Sequence, residues 1–378
     1  MSVIKLSNEI DVKALLHKIG VDSGGVDILA KKAQHHIIHI TKLHVGGANI
    51  LKQDALSVGA DLAVPRGTVI ASIKEVDCIL IATQRQLQKL AKKELAQPFG
   101  LKEVAKELLK ISQIKEPKDI KIMGIINAND DSFFSGSRFL GLSAVEKIEQ
   151  MVEGGADIID IGGVSSKPNA EVVSAKEELE RVKPIIDALY DAKLYQTQSL
   201  SIDSYAPSVI SYALERGFTI VNDITGLRSV EVCKLCAEYD ATAIAMHMQG
   251  SPQTMQKSPT YESVIDEVYS YLQDSILHAE SLGVKDIVVD IGIGFGKTLA
   301  HNLALIKHLE HFLTLKRDIL VGASRKSMID KIYPSTIEQR LPATLAIHLE
   351  ALRNGASIVR VHDVEEHKRA VEVFKAFR

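Results

Sequence analysis

The chain has 378 residues and sets 45 Lys and Arg against 48 Asp and Glu, a formal net charge of −3. No basic run or face stands out, which argues against nucleic acid as the main partner, and no apolar stretch is long enough to span a bilayer, so no membrane partner is expected. The N-terminus MSVIKLSNEIDVK lacks the charged-then-apolar layout of a secretory signal, and three cysteines do not make a disulfide framework; a cytoplasmic protein is the expectation.

Residues 1–112 read as a small α/β unit. VKALLHKI and ILAKKAQ have the look of short helices, HHIIHITKL of a strand and ANILKQDALSVG of a helix. CILIAT then reads as a buried strand, with QRQLQKLAKKEL and LKEVAKELLKI as closing helices. His35, His36 and His39 cluster on the first strand-like run, but no acid or cysteine stands at ligand spacing, so they are read as surface or satisfied histidines. No nucleophile, phosphate loop or metal set marks a role for this unit. The polar stretch SQIKEPKD, with Pro117, reads as a linker to a second domain at 119–378.

From Ile120 onward, eight apolar strand candidates alternate with helices. They are IKIMGIIN, ADIIDIGG, LSIDS, TIVNDIT, TAIAMHM, DIVVDIG, DILVGAS and SIVRVHD. Eight such repeats over roughly 260 residues predict a (β/α)8 TIM barrel, whose active site lies at the C-terminal strand ends. The strands are nearly continuous in Val, Ile and Ala, as strands covered on both faces should be. Cys233 and Cys236 form a CxxC inside a helical pattern without a second pair, and are read as structural.

The strand ends collect polar groups. Arg360 and His362 are two apart on the eighth strand and share a face, which makes an anion site. Ser324, Arg325 and Lys326 at the seventh strand end suit a polar or anionic ligand. The sixth, Asp290 followed by GIGFGKT, is one residue short of a phosphate-binding loop, leaving a carboxylate and a glycine-rich loop that carries Phe295 over a pocket. Asp203, Asn222 and Asn127 add a carboxylate and two amides. A substrate with a donor-rich heterocycle at one end and a phosphate or diphosphate at the other fits this mouth.

KIMGIINANDDSF, GADIIDIGGVSSKPNAEVVSAKEELERVKPII, SIDS, VNDITG, AMHMQGSP, VVDIGIGFGKTLAHNLALIKHL, LVGASRKSMI and LPATLAIHLEALRNGASIVRVHDVEEH resemble, in order, the motifs of the dihydropteroate synthase family of folate biosynthesis. The resemblance covers about 119–378, leaving residues 1–112 as an N-terminal extension. It implies condensation of 6-hydroxymethyl-7,8-dihydropterin diphosphate with 4-aminobenzoate, giving dihydropteroate and pyrophosphate. It further implies that Asp203, Asn222, Asp290 and Lys326 hold the pterin, and that Asn127, Arg360 and His362 hold the diphosphate. Ser166, Pro168, Phe295 and Ser324 would frame aminobenzoate. Catalysis would fall to Lys326, Asp203, Arg360 and His362, with Mg2+ as cofactor touching Asn127. A homodimer open to sulfonamides is also implied. A non-catalytic pterin-binding paralogue acting as a partner protein is the alternative.

Overall fold

The computed structural model describes residues 1–6, 10–115, 117, 119–128, 137–164 (side chains from 143), 173–251 and 254–377. The chain divides into two compact units, residues 1–114 and 115–377.

In the first unit, α1 (Val12–Lys18) and α2 (Ser23–Ala33) precede β1 (His35–His44), α3 (Val45–Val58), β2 (Asp61–Ala63), β3 (Glu75–Thr83), α4 (Gln84–Glu94) and α5 (Leu101–Ile111). The sheet is antiparallel in the order β1-β3-β2. Its buried face alternates with period two along β3, where Val76, Cys78, Leu80 and Ala82 point into a core shared with Leu51, Leu87, Leu90 and Leu108. A capping box between Thr83 and Gln86 turns β3 directly into α4. The sequence pattern did not reveal β2, because three residues carry no periodicity. His35 and His39 are exposed on β1 and His36 is half-buried.

The second unit opens with β4 (Lys121–Asn127), α6 (Ser137–Glu153), β5 (Ile158–Gly162), α7 (Ala175–Asp191), β6 (Ser199–Asp203) and α8 (Pro207–Leu214). It continues through β7 (Ile220–Asp223), α9 (Val230–Glu238), β8 (Thr242–Met246), α10 (Val264–Ser281), β9 (Ile287–Asp290) and α11 (Leu299–Lys307). It closes with β10 (Asp318–Val321), α12 (Ser327–Ile332), α13 (Leu341–Arg353), β11 (Ile358–Val361) and α14 (Val364–Ala376). Strands β4 to β11 are parallel and form a closed barrel in sequence order, with β11 pairing back onto β4. This is the expected TIM barrel. The floor of its interior is apolar, built from Met123, Ile158, Ile220, Ile244, Val288, Leu320 and Ile358. Cys233 and Cys236 are buried and free on α9. No helix among the described residues is long and apolar enough to cross a membrane.

The loop after β9 is held by its glycines and by Lys297. Gly292 has φ +66°, and a Cβ there would lie 1.8 Å from the His247 carbonyl oxygen, so only glycine fits. Lys297 is 1% exposed, and its ammonium donates to the carbonyls of Gly292 (2.9 Å), Phe295 (3.0 Å) and His247 (3.3 Å). His247 Nδ1 lies 2.8 Å from it, and burial of that ring pushes its pKa down, leaving the nitrogen lone pair as a fourth acceptor. Burial also pulls the Lys297 pKa down to about 7, with Asp290 opposing.

Lys297→Met removes the donor for all of these acceptors while keeping the volume. It is expected to lower unfolding stability by about 3 kcal/mol, read from the denaturant midpoint; an unchanged midpoint would show that water takes the ammonium's place. Limited tryptic digestion is expected to cut after exposed Lys115 before it cuts within the barrel, giving two persistent fragments by mass spectrometry.

Candidate active site

Side chains two residues apart on a strand share a face, so the residues two beyond the apolar floor form the next interior layer. In β5 that step goes from Ile158 to Asp160, in β7 from Ile220 to Asn222, in β9 from Val288 to Asp290 and in β11 from Ile358 to Arg360. The interior thus changes from apolar to charged within one step of the pleat. Asp203 ends β6 in register with Asn222, and Asn127 ends β4 in register with Gly162.

Arg360 organises this layer. Its Nε donates to Asp160 (2.6 Å) and one terminal nitrogen to Asp203 (2.6 Å). Asp160 is fully buried and also accepts from Ser201 Oγ (2.6 Å) and Asn222 Nδ2 (3.1 Å). The guanidinium of Arg360, read from sequence as part of an anion site, is held by two carboxylates, because buried charges find opposite ones. Burial pushes Asp203 up to about 7 against the pull of Arg360, with Asp160 adding repulsion. The Arg360 guanidinium stays charged, since the carboxylates around it outweigh its desolvation.

Lys326 Nζ donates to the Ile293 carbonyl (2.7 Å) and lies 4.0 Å from the centre of the Phe295 ring. Burial lowers its pKa to about 8, with Asp290 opposing. Asp290 accepts the Gly292 N–H (2.7 Å), and burial raises its pKa. Phe295 packs with Ile224, Met246 and Met255 into an apolar wall. The two methionines were not singled out from sequence, since Met in a strand or loop carries no signature of a binding wall.

Just beyond β10 and β11, Ser324 Oγ accepts the His362 backbone N–H (3.2 Å) and lies 2.9 Å from His362 Nδ1. Burial, then the nearby Arg360 charge, lower the His362 pKa to about 4, so the ring is neutral near pH 7. Arg325, expected to face a ligand, instead pairs with Asp363 through Nε (3.0 Å) and a terminal nitrogen. Ser166 and Pro168 lie outside the described residues. The structure therefore brings Asp203, Asn222, Asp290, Lys326, Phe295, Ser324, Arg360 and His362 to one end of the barrel. It adds Asp160 and Ser201, which strand alternation in ADIIDIGG and LSIDS could have supplied.

The sequence profile for pterin binding enzymes matches residues 123–362. The chain is 41% identical over 374 residues to the bifunctional dihydropteroate synthase/dihydropteroate reductase of Helicobacter pylori, covering 99% of this chain and 98% of that one. It is 39% identical over 258 residues to the dihydropteroate synthase of Escherichia coli, covering 68% of this chain and 90% of that enzyme. The dihydropteroate synthase of Thermus thermophilus in complex with 4-aminobenzoate superposes with a TM-score of 0.62 at 35% identity, over 69% of this chain and 95% of that one. A barrel whose mouth holds these groups and whose motifs match over this length has one home: the chain belongs to the pterin-binding enzymes, in the dihydropteroate synthase family.

Proposed function

We propose that the barrel mouth condenses 6-hydroxymethyl-7,8-dihydropterin diphosphate with 4-aminobenzoate. The methylene C–O bond to the diphosphate breaks, the aniline nitrogen forms the new C–N bond and loses a proton, and pyrophosphate and 7,8-dihydropteroate leave. The observation that carries this reading is the Asp160–Arg360–Asp203 arrangement beside Lys326 and the Phe295 wall. The pterin's amino-pyrimidinone edge offers two parallel N–H donors, as a guanidinium does. It takes the place of the Arg360 terminal nitrogen at Asp203, with Asn222, Asp290 and Lys326 completing the set. Arg360, released on that side and still tied to Asp160 through Nε, turns its fork to the diphosphate.

Ionisation of the C–O bond is helped by groups that hold the departing negative charge more than by a strong base. Arg360 supplies the cation. His362 supplies a neutral N–H: Ser324 Oγ, which accepts the His362 backbone N–H, gives its own hydrogen to Nδ1 and leaves Nε2 protonated for the phosphate. Ser324 and Phe295, with Ser166 and Pro168, frame aminobenzoate. Mg2+ fits this site: Asn127, half-buried at the end of β4, offers a hard amide oxygen, and Mg2+ takes most of its shell from water and substrate phosphates. When bound it neutralises diphosphate charge.

Reduction of dihydropteroate is a second reading for the whole chain, because the similarity to the bifunctional Helicobacter pylori protein runs through the N-terminal unit, whereas the match to the Escherichia coli enzyme covers 68% of this chain. It requires an added hydride donor, and turnover of dihydropteroate with NADPH or reduced flavin decides it. The free cysteines favour the cytoplasm, and light scattering tests the homodimer.

The direct test is pyrophosphate release with Mg2+, with and without 4-aminobenzoate. Aminobenzoate-dependent release that yields dihydropteroate is expected, whereas tight pterin binding without release would favour the non-catalytic paralogue. Asp203→Asn is expected to lower kcat/KM for the pterin substrate by about tenfold to a hundredfold through loss of a charged hydrogen bond. Because Lys326 must be charged, kcat/KM for the pterin diphosphate is expected to fall as pH rises through about 8. Lys326→Arg should move that limb upward in pH, and an unmoved limb would assign it to another group.

A further inference from the structure

Two buried histidines lie behind the site, each 1% exposed: His348 on α13 and His367 on α14. The Ala323 N–H donates to His348 Nε2 (3.0 Å). His348 Nδ1 lies 2.8 Å from His367 Nε2, and His367 Nδ1 lies 2.6 Å from the Asp363 carbonyl oxygen. The two ends set the direction of this chain. A backbone N–H can only donate and a carbonyl can only accept, so His348 Nε2 must be bare and His367 Nδ1 must carry hydrogen. Each neutral ring then has one arrangement, with hydrogen on Nδ1, and His348 Nδ1–H donates to His367 Nε2. A second proton on either ring would set two N–H groups facing each other. Burial holds both rings neutral.

The ends of this relay sit on the two loops that carry the substrate groups. Ala323 adjoins Ser324 and precedes Lys326, while Asp363 follows Arg360 and His362. The parallel ladder between β10 and β11 registers only Leu320 with Ile358 and Val321 with Val359, so beyond Val321 the backbone pairing no longer sets the spacing. One turn earlier on α13, buried Thr344 Oγ1 accepts the Arg325 N–H (3.0 Å), so the same helix face holds the β10 loop at two amides. We propose that His348 and His367 are positioning residues, a one-directional hydrogen-bond relay that sets Ser324 and Lys326 against Arg360 and His362 where aminobenzoate and diphosphate meet. This rests on the synthase reading for the roles of those four residues.

The experiment uses the full-length chain labelled with 15N-histidine, its ring signals assigned through His348→Phe and His367→Phe. Both rings are expected as Nδ1–H tautomers near pH 7; an Nε2–H tautomer or an imidazolium in either ring would overturn the relay. In steady-state kinetics, His348→Phe leaves the Ala323 N–H unpaired and is expected to raise KM for 4-aminobenzoate about tenfold. His348→Gln, which keeps an acceptor for that N–H, should recover most of the loss. A lower melting temperature with unchanged KM would reduce the histidines to packing and sink the proposal. Should His348→Phe not fold, His367→Leu, which leaves the Ala323 contact in place, is read the same way. The tautomer readout needs no turnover, so an inactive wild-type chain would count against the synthase reading and leave the relay to be judged by its ring signals.

Discussion

The site depends on one ionic contact: Arg360 lies between Asp160 and Asp203 inside the barrel, one pleat step above an apolar floor. Removing three charged groups from water is unfavourable unless each finds partners, and breaking such a set by removing one member typically costs about 3–5 kcal/mol. Here the partners come from three strands, β5, β6 and β11, with Asn222 of β7 and Ser201 of β6 saturating the buried Asp160 carboxylate. The charges that hold the mouth together are of the kind a charged, donor-rich substrate can use. Under the proposed function, the pterin diphosphate exchanges partners with Arg360 and Asp203, which lowers the desolvation that binding would otherwise require.

Around that contact, the loops are fixed by internal polar anchors. Lys297 gathers the carbonyls of the β9 loop and so sets the height of Phe295, whose ring packs in the apolar wall and lies under the Lys326 ammonium. Gly292 permits that wrap because a side chain there would collide with the His247 carbonyl. The β10 and β11 loops are joined by Ser324 to His362, Arg325 to Asp363 and the His348–His367 pair. Preorganisation of this kind favours chemistry that needs charges held in place more than it needs a strong base.

Much of this was legible in the chain. Eight apolar runs ending in polar turns foretold the barrel, and the ends named Asp203, Asn222, Asp290, Ser324, Lys326, Arg360 and His362, because strand ends in this architecture meet at one mouth. The five helices and two longer strands of the N-terminal segment and their order were visible too, while β2 was too short to show a period. Asp160 escaped because it sits inside an apolar run and not at its end. Arg325 was read as facing a ligand because a cation at a turn gives no sign of the carboxylate that Asp363 brings from the next loop.

The sequence by itself determined which residues alternate, where each strand stops and which chemical groups stand at those stops, since these follow from periodicity and local turn chemistry. Only the tertiary structure decided who partners whom. Arg360 meets Asp160 across 200 residues of chain, Lys297 turns inward to its own loop, and His348 faces His367 from a neighbouring helix. Such pairings arise from barrel closure and from the need of each buried charge or donor to find a partner, and no local pattern encodes which partner the closed barrel will bring near.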